Sequence, residues 1–144
     1  LAISDLPIFY MTPAIEPDEI VTKIEFKSWK QGHGWGFAEF SRRAGDFAIV
    51  SAAAIIELEE SKKVNRASLV IGGVGAGPVR CVDAENILRN QIVPNNFEDI
   101  YQCLKNIEVG EDAQASERYR RKLINVMVKR ALLDAFSRAQ KVFR

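Results

Sequence analysis

The fold of this chain is decided by its most apolar stretch, Phe47-Ala48-Ile49-Val50-Ser51-Ala52-Ala53-Ala54-Ile55-Ile56. A continuous apolar run of this length fits either a buried strand or a short helix, since periodicity does not separate the two. Its β-branched residues, and the alternation that follows in Glu57-Leu58-Glu59, favour a strand. The polar turn Glu60–Lys63 then leads into a second apolar stretch, Val64 to Val74. Together these segments predict an antiparallel hairpin.

Two further strands are predicted upstream of this hairpin. Residues Ile20 to Phe26 alternate between apolar and charged side chains, which is typical of a half-buried strand. A glycine-rich connection, residues 31–36, then leads into a short strand from Phe37 to Phe40. Prolines punctuate residues 1–18, which predicts an extended lead-in. We therefore expect a sheet over about residues 19–80.

Downstream of Gly77-Pro78 the pattern becomes helical. Asp83 can cap a helix from Ala84 to about Asn90, and Asn95-x-x-Glu98 resembles a capping box before a helix over about 97–106. A third helix is predicted from Ala115 to Lys141. One face of this helix carries apolar residues at helical spacing: Ile124, Met127, Val128, Ala131, Leu132 and Ala135. The fold class is α+β, a small antiparallel sheet of three to four strands with a C-terminal three-helix bundle packed on it, over residues 19–144.

Composition excludes several classes of function. The 144 residues fit one domain, and 20 Lys and Arg against 19 Asp and Glu lack the basic excess of a nucleic-acid-binding surface. Cys81, Cys103 and the single His33 cannot form a metal cage, and no apolar run approaches the ~20 residues of a membrane span. Because no signal peptide is visible, we expect a cytoplasmic protein with reduced thiols, and the start at Leu1 favours a fragment of a longer protein.

Charge is distributed unevenly along the chain. Residues 117–144 hold nine Lys and Arg against two Asp and Glu, whereas residues 1–116 are acidic. Arg118, Arg120, Arg121 and Lys122 begin the last helix, where the helix macrodipole disfavours cations. We therefore expect an acidic neighbour, either within the fold or on a partner, and a solvated helix face is the simpler interpretation.

Few segments could support chemistry. Neither glycine cluster, residues 32–36 or 72–77, has the spacing or the following helix of a phosphate-binding loop, so both are interpreted as tight turns and close packing. No serine has an evident base for nucleophilic catalysis. The remaining candidate is Ser41-Arg42-Arg43-x-x-Asp46, which either presents fixed charge to an anionic or redox-active ligand or forms an internal Arg–Asp pair. These two interpretations are equally supported by the residues alone.

At this loop the chain resembles a known family. Residues Thr12 to Ile20 are similar to the T-A-L-E-P-D-E-I/L linker of the flavin subunits of molybdenum hydroxylases. The family signature G-x-G-F-x-E-F-x-R-R-x-G-D-F-A is similar to Gly34-Trp35-Gly36-Phe37-Ala38-Glu39-Phe40-Ser41-Arg42-Arg43-x-Gly45-Asp46-Phe47-Ala48. Further matches follow in the family's order: Gly72-Gly73-Val74, Pro78-x-Arg80, Ala84-Glu85, Tyr119-Arg120-Arg121 and Arg130-Ala131-Leu132.

The resemblance is to the C-terminal domain of the FAD-binding (medium) subunit of carbon monoxide dehydrogenase and xanthine dehydrogenase-like enzymes. It implies an oxidoreductase complex in which electrons pass from a molybdenum cofactor through iron–sulfur clusters to FAD. The implied partners are a molybdenum-containing large subunit, an iron–sulfur small subunit and an N-terminal FAD-binding domain preceding residues 1–18. The residues implied to lie beside the flavin are Phe40, Ser41, Arg42, Arg43 and Asp46. Gly45 stands where the xanthine dehydrogenase branch has an acidic residue.

A flavin-covering domain of this kind is expected to be inactive by itself. The alternative is a stand-alone protein interaction or assembly module without a cofactor. Such a module would start at its own methionine and fold without an exposed apolar face. A small hydrolase ranks below both because no nucleophile–base pair is present in the pattern.

Overall fold

The structure, a computed structural model, describes residues 1–9, 11–94 and 96–141. Its centre is a four-stranded antiparallel sheet in the order β3-β4-β5-β6. The strands are β3 (Gly34–Phe40), β4 (Val50–Leu58), β5 (Val64–Gly72) and β6 (Val79–Arg80). Earlier in the chain, β1 (Pro7–Phe9) and β2 (Thr12–Pro13) form a separate two-stranded ribbon. The hairpin predicted from the apolar stretch is confirmed as β4 and β5.

Three helices follow or flank the sheet, and two of them pack on it. They are α1 (Val82–Leu88), α2 (Glu98–Leu104) and α3 (Glu117–Gln140). Helix α3 packs on β3 and β4, whereas α1 packs on β5 and on α2. The α+β fold class is therefore confirmed, and the apolar face predicted for α3 is confirmed too. Its buried members are Ile124, Met127, Val128, Ala131, Leu132 and Ala135.

The core lies between α3 and the inner face of the sheet. Alternate residues of β4 and β5 point inward, and Val50, Ile56, Leu69 and Ile71 are fully buried. Facing them, α3 contributes Phe136 as its largest buried side chain. The period-two pattern of the strands and the helical spacing of α3 thus meet in one apolar layer.

The strand predicted at Ile20 to Phe26 is wrong, so the sheet begins at Gly34 and not near residue 19. In the described chain this segment has no regular structure, and Ile20, Ile24 and Phe26 are 83%, 68% and 88% exposed. Its alternating pattern finds no neighbouring strand or apolar surface, and a strand forms only where both are available. Just beyond it, Trp29 stacks beneath the guanidinium of Arg66 on β5 at 3.8 Å.

Three element boundaries also differ from the sequence prediction. Strand β3 starts inside the predicted glycine-rich connection, at Gly34. Helix α1 starts at Val82, so Asp83 lies in its first turn and makes no cap there. The capping-box residue Asn95 lies outside the described residues, and the adjacent Asn96 accepts the Glu98 backbone N–H through Oδ1 at 2.9 Å. These differences of one to three residues reflect short elements whose ends are set by tertiary contacts.

Two glycines allow α3 to lie directly on β3. A Cβ added to Gly34 would come within 1.9 Å of the Ala135 carbonyl oxygen, and one added to Gly36 within 2.0 Å of the Ala131 carbonyl oxygen. Ala131 and Ala135 are themselves small and fully buried. The helix backbone therefore contacts the strand backbone without side chains between them. The interpretation of the first glycine cluster as close packing is confirmed at these positions.

Candidate functional site

The loop predicted to carry function connects β3 to β4, the first two strands of the sheet. The base of this loop is closed by a hydrogen bond in which the Ile49 N–H donates to the Phe40 carbonyl at 2.8 Å. Val50 then pairs with Phe40 as the first rung of the ladder between these strands. The loop between them, residues 41–48, is therefore a protrusion at one end of the sheet with both ends fixed.

The interior of the loop is held by short-range bonds to one residue. The Ser41 hydroxyl donates to the Arg43 carbonyl at 2.9 Å, and the Asp46 N–H donates to the same carbonyl at 3.2 Å. Gly45 has φ +89°, in the left-handed region that favours glycine, so the turn needs this residue. Ser41 is half-buried, and its role in the structure is to shape the turn.

The charged side chains of the loop point into solvent. Arg42, Arg43 and Asp46 are exposed. In the described part of the chain no ion pair joins either arginine to Asp46 or to another carboxylate. The internal Arg–Asp pair weighed in the sequence analysis is therefore not formed, and the two guanidinium groups are left with free charge and free donors.

Phe40 lies on the face of the sheet that packs against α3. Its ring meets Tyr119 of α3 edge to face, with the ring centroids 6.2 Å apart. Such an arrangement is favoured for aromatic pairs. Phe40 therefore anchors the start of the loop to the first turn of α3, while Arg42, Arg43 and Asp46 lie together beyond it.

On the outer face of β3, aromatic side chains are more than half exposed, and in the described residues α3 packs on the opposite face of this strand. Trp35 and Phe37 are 53% and 54% exposed, and Phe37 pairs across the ladder with Ala53, itself next to Val70. Arg138 reaches the edge of β3, where its guanidinium lies over the Trp35 ring at 3.8 Å and donates to the Trp35 carbonyl. Sequence reasoning missed this surface. It placed Trp35 in the glycine-rich connection, and it placed Phe37 in a strand without assigning which face the side chain lies on.

The basic start of the last helix divides into bonded and free cations. Arg120 pairs with Asp112 at 2.6 Å and Arg121 with Glu117 at 2.7 Å, so the acidic neighbours predicted from the charge pattern lie within the fold. Arg118 and Lys122 line a groove of about 650 Å³ between α2 and α3, above Tyr101. The groove has basic walls and an apolar floor.

Groups of other catalytic types are not brought together in the described residues. No cluster of three or more His, Cys, Asp and Glu side chains there could hold a metal ion. Cys81 and Cys103 are free, and burial raises the pKa of the Cys81 thiol to about 12. No helix of the described chain is long and apolar enough to cross a membrane.

Comparison with known proteins places this geometry in a family. Residues 35–135 match the family model for the CO dehydrogenase flavoprotein C-terminal domain. The chain is 32% identical over 144 residues to 6-hydroxypseudooxynicotine dehydrogenase complex subunit alpha of Paenarthrobacter nicotinovorans, covering 97% of this chain and 48% of that protein. It is 29% identical to the carbon monoxide dehydrogenase medium chain of Afipia carboxidovorans, covering 88% of this chain and 44% of that one.

The fold agrees with a solved structure of the same kind. Reconstituted CO dehydrogenase from Oligotropha carboxidovorans contains a chain that superposes with a TM-score of 0.84 at 25% identity, over 93% of this chain and 47% of that one. The chain therefore spans about half the length of the relatives it matches. It belongs to the CO dehydrogenase flavoprotein C-terminal domain family, whose members include medium subunits of molybdenum hydroxylases.

Proposed function

We propose that this chain is the C-terminal domain of the flavoprotein subunit of a molybdenum hydroxylase complex. In this role it covers FAD and supports electron transfer from iron–sulfur clusters through FAD to an acceptor. The names of the relatives support this proposal, because they are dehydrogenase subunits and include the nicotine 6-hydroxylase medium subunit and a caffeine dehydrogenase subunit. The relatives are about twice as long as this chain, so the N-terminal half of such a subunit would bind most of the FAD.

One observation carries the proposal: Arg42 and Arg43 sit at an exposed loop with no carboxylate partner in the described residues. A guanidinium group that is not neutralised attracts an anionic or electron-rich group. The loop is fixed at both ends by the Ile49–Phe40 bond, so its charge is held in place. A fixed positive charge of this kind fits a flavin that gains electrons.

The chemistry is divided between the cofactor and the protein. FAD supplies the redox reaction when it is bound. Arg42 and Arg43 stabilise negative charge beside it, Asp46 and Ser41 shape the loop that presents them, and Phe40 anchors that loop to Tyr119. Nothing in this division requires a proton donor or a nucleophile from the chain. The chain alone is accordingly proposed to be inactive.

The proposed partners follow from the same assignment. They are a molybdenum-containing large subunit, an iron–sulfur small subunit and an N-terminal FAD-binding domain, in a complex that we place in the cytoplasm. The exposed aromatic side chains of Trp35 and Phe37 lie on the outer face of β3, the strand that leads into the loop, and exposed apolar surface of this kind favours contact with another domain.

Titration with FAD tests the assignment directly. The chain is titrated alone, and then after mixing with the N-terminal half of a relative such as the Afipia carboxidovorans medium chain. We expect weak or no binding alone and a flavin absorption spectrum with tight binding on mixing. Tight binding by the chain alone would place the main FAD site here and contradict the proposal. Absence of binding in both formats, with both halves folded, would favour the cofactor-free interaction module.

A charge substitution tests the loop itself. In the flavin-containing mixture, Arg42→Gln together with Arg43→Gln should lower the flavin midpoint potential or weaken FAD binding, because two positive charges are removed. Lys62→Gln together with Lys63→Gln is the matched control, since these adjacent cations occupy the β4–β5 turn at the opposite end of the sheet. Equal effects of the two double variants would show that net charge, and not the loop, matters.

A further inference from the structure

Arg120 is a buried cation that joins three separate parts of the chain. The residue is only 5% exposed. Its Nη1 donates to the Ile49 carbonyl at 2.6 Å and also to the Gly73 carbonyl, and its Nη2 pairs with Asp112 Oδ2 at 2.6 Å. These acceptors lie at the end of the β3–β4 loop, after β5, and before α3. One side chain in the first turn of α3 therefore bonds to three loops: the β3–β4 loop, the segment after β5 and the segment before α3.

The junction with the β3–β4 loop is close. The Ile49 N–H donates to Phe40, and the carbonyl of the same residue accepts from Arg120, so Ile49 is held from both sides. Gly73 has φ +77°, and a Cβ there would lie 2.6 Å from the Ile49 carbonyl oxygen and 2.8 Å from the Ala48 carbonyl oxygen. The glycine-rich corner after β5 thus packs backbone to backbone against the base of the loop.

The position of Arg120 is unfavourable unless these bonds are made. A cation in the first turn opposes the helix macrodipole, and a buried charge needs partners. Arg120 Nε has no hydrogen-bond partner in the described residues, so the remaining donors carry all of the compensation. On the other side of the pair, the hydrogen bond from Arg120 lowers the pKa of Asp112, which keeps this carboxylate charged.

We propose that Arg120, held by Asp112, is a positioning residue that fixes the base of the β3–β4 loop and thereby the place at which Arg42 and Arg43 present their charges. This inference rests on the proposed role of that loop beside the flavin. Among the described residues Arg120 makes no hydrogen bond to either arginine, and it reaches the loop through Ile49 and Gly73. A change before α3, at Asp112, is therefore transmitted to the proposed flavin contact.

Two variants and one matched control test the inference. Arg120→Lys keeps the positive charge but cannot reach three acceptors at once, and Asp112→Asn removes the partner charge at a side chain that is 52% exposed. Arg121→Lys is the control, because Arg121 lies in the same turn but bonds to Glu117 and to the carbonyls of Lys105 and Ile107. None of these acceptors belongs to the loop.

The first measurement is backbone amide exchange in the 144-residue chain, which needs no flavin. We expect the Ile49 and Asp46 amides to exchange at least about tenfold faster in Arg120→Lys and by a smaller factor in Asp112→Asn, with the control unchanged. Unchanged exchange in both variants would overturn the inference. If Arg120→Lys does not fold, Asp112→Asn carries the test.

The second measurement is the flavin midpoint potential in the mixture with an N-terminal half. We expect a downward shift in Arg120→Lys, smaller than that of the Arg42→Gln and Arg43→Gln double variant, and no shift in the control. A shift in the double variant alone would refute positioning by Arg120 while leaving the proposed function intact. If the double variant also fails to shift the potential, the proposed role of the loop fails, even though faster exchange would still show that Arg120 holds it.

Discussion

Strand β3 has two contrasting faces. On the inner face, Gly34 and Gly36 have no side chain and touch the backbone of α3. On the outer face, Trp35 and Phe37 are large and more than half exposed. The inner face has no volume to spare, so it determines whether the domain folds. The outer face adds little to the fold of this chain, and Phe37 in particular is exposed at the surface proposed to contact an FAD-binding domain.

The largest effect should follow from filling the inner face. In Gly36→Ala the new methyl group would lie 2.0 Å from the Ala131 carbonyl oxygen. Because backbone atoms cannot rotate away, α3 must shift from β3, and we expect a loss of about 3 kcal/mol or more in the free energy of unfolding. Urea denaturation followed by circular dichroism measures this change.

Gly75→Ala provides the matched control for this substitution. A Cβ at Gly75 would meet no atom within 4 Å, and its φ is not in the left-handed region. Its unfolding free energy should therefore stay within about 0.5 kcal/mol of the unsubstituted chain. Similar losses in the two variants would mean that glycine flexibility, and not the approach of α3, explains the result.

The second effect concerns the opposite edge of the sheet, where Arg80 connects the outer face to the buried Glu85. Its Nε and Nη2 donate to the two carboxylate oxygens at 2.9 and 2.8 Å, and the Leu69 N–H donates to Oε1 at 3.0 Å. Glu85 is 2% exposed, and its pairing raises the pKa of Arg80. Arg80→Ala removes two of these three bonds from a buried carboxylate.

We expect Arg80→Ala to lower the free energy of unfolding by about 2 kcal/mol, the middle of the range for an unsatisfied buried polar group. The loss is not larger because water can reach the carboxylate from the side where Arg80 was exposed. Arg89→Ala is the control, since the Arg89 side chain is exposed and makes no ion pair in the described chain. The same denaturation experiment measures both. If the two variants were equally stable, the Arg80–Glu85 pair would contribute nothing.

A third effect concerns the two cysteines, whose rates of thiol modification should differ because one is buried in the core and the other lies at its edge. Cys81 is 6% exposed and its pKa of about 12 leaves almost no thiolate at pH 8, whereas Cys103 is half-buried with a pKa raised chiefly by burial. Since the thiolate is the reactive form, a maleimide reagent should modify Cys103 at least about tenfold faster than Cys81. Single Cys→Ser variants and mass spectrometry assign the rates. Faster modification of Cys81 would show that the layer beneath β6 opens readily.

Raising the pH should accelerate the modification of both cysteines, because the raised pKa values leave both thiols largely protonated at pH 8. A thiol whose pKa lies above the ambient pH gains about tenfold in thiolate for each pH unit. The rate for Cys81 should therefore still rise between pH 8 and pH 10. A plateau in this range would contradict the pKa of about 12.

Much of this architecture was predictable because local pattern and tertiary packing agree. The hairpin of β4 and β5 follows from apolar runs on either side of a polar turn, and α3 follows from the spacing of residues such as Ile124 and Met127. The absence of a strand at Ile20 to Phe26 was not predictable from the sequence. The apolar and charged residues do alternate there, but the described chain offers no neighbouring strand with which the segment could pair. Pattern identifies a surface that can be buried and does not show what buries it.

The candidate site divides in the same way. The resemblance singled out Arg42, Arg43 and Asp46, and the structure brings them together on one exposed loop. The role of Arg120 required coordinates, because its acceptors are backbone carbonyls 47 and 71 residues away in sequence. One signal was present: a cation in the first turn of a helix opposes the macrodipole, which marks it as bonded elsewhere.

The smallest expected effect is on the outer face and sharpens the contrast between the two sides of β3. Phe37 is 54% exposed and faces Ala53 across the ladder, so Phe37→Ser removes little buried area. We expect the unfolding free energy of this chain to change by less than about 0.5 kcal/mol. Association with an N-terminal half should nevertheless weaken, because the lost ring belongs to the proposed contact.

A loss above about 1 kcal/mol in the unfolding free energy of the chain alone would instead mean that something within it covers the outer face. The alternating segment from Ile20 to Phe26 is the apolar stretch available for that, and Phe26→Ser would then cause a similar loss. If Phe26→Ser is neutral while Phe37→Ser is not, the ring itself stabilises β3 through its neighbours in the sheet, and the two faces differ less than their exposure indicates.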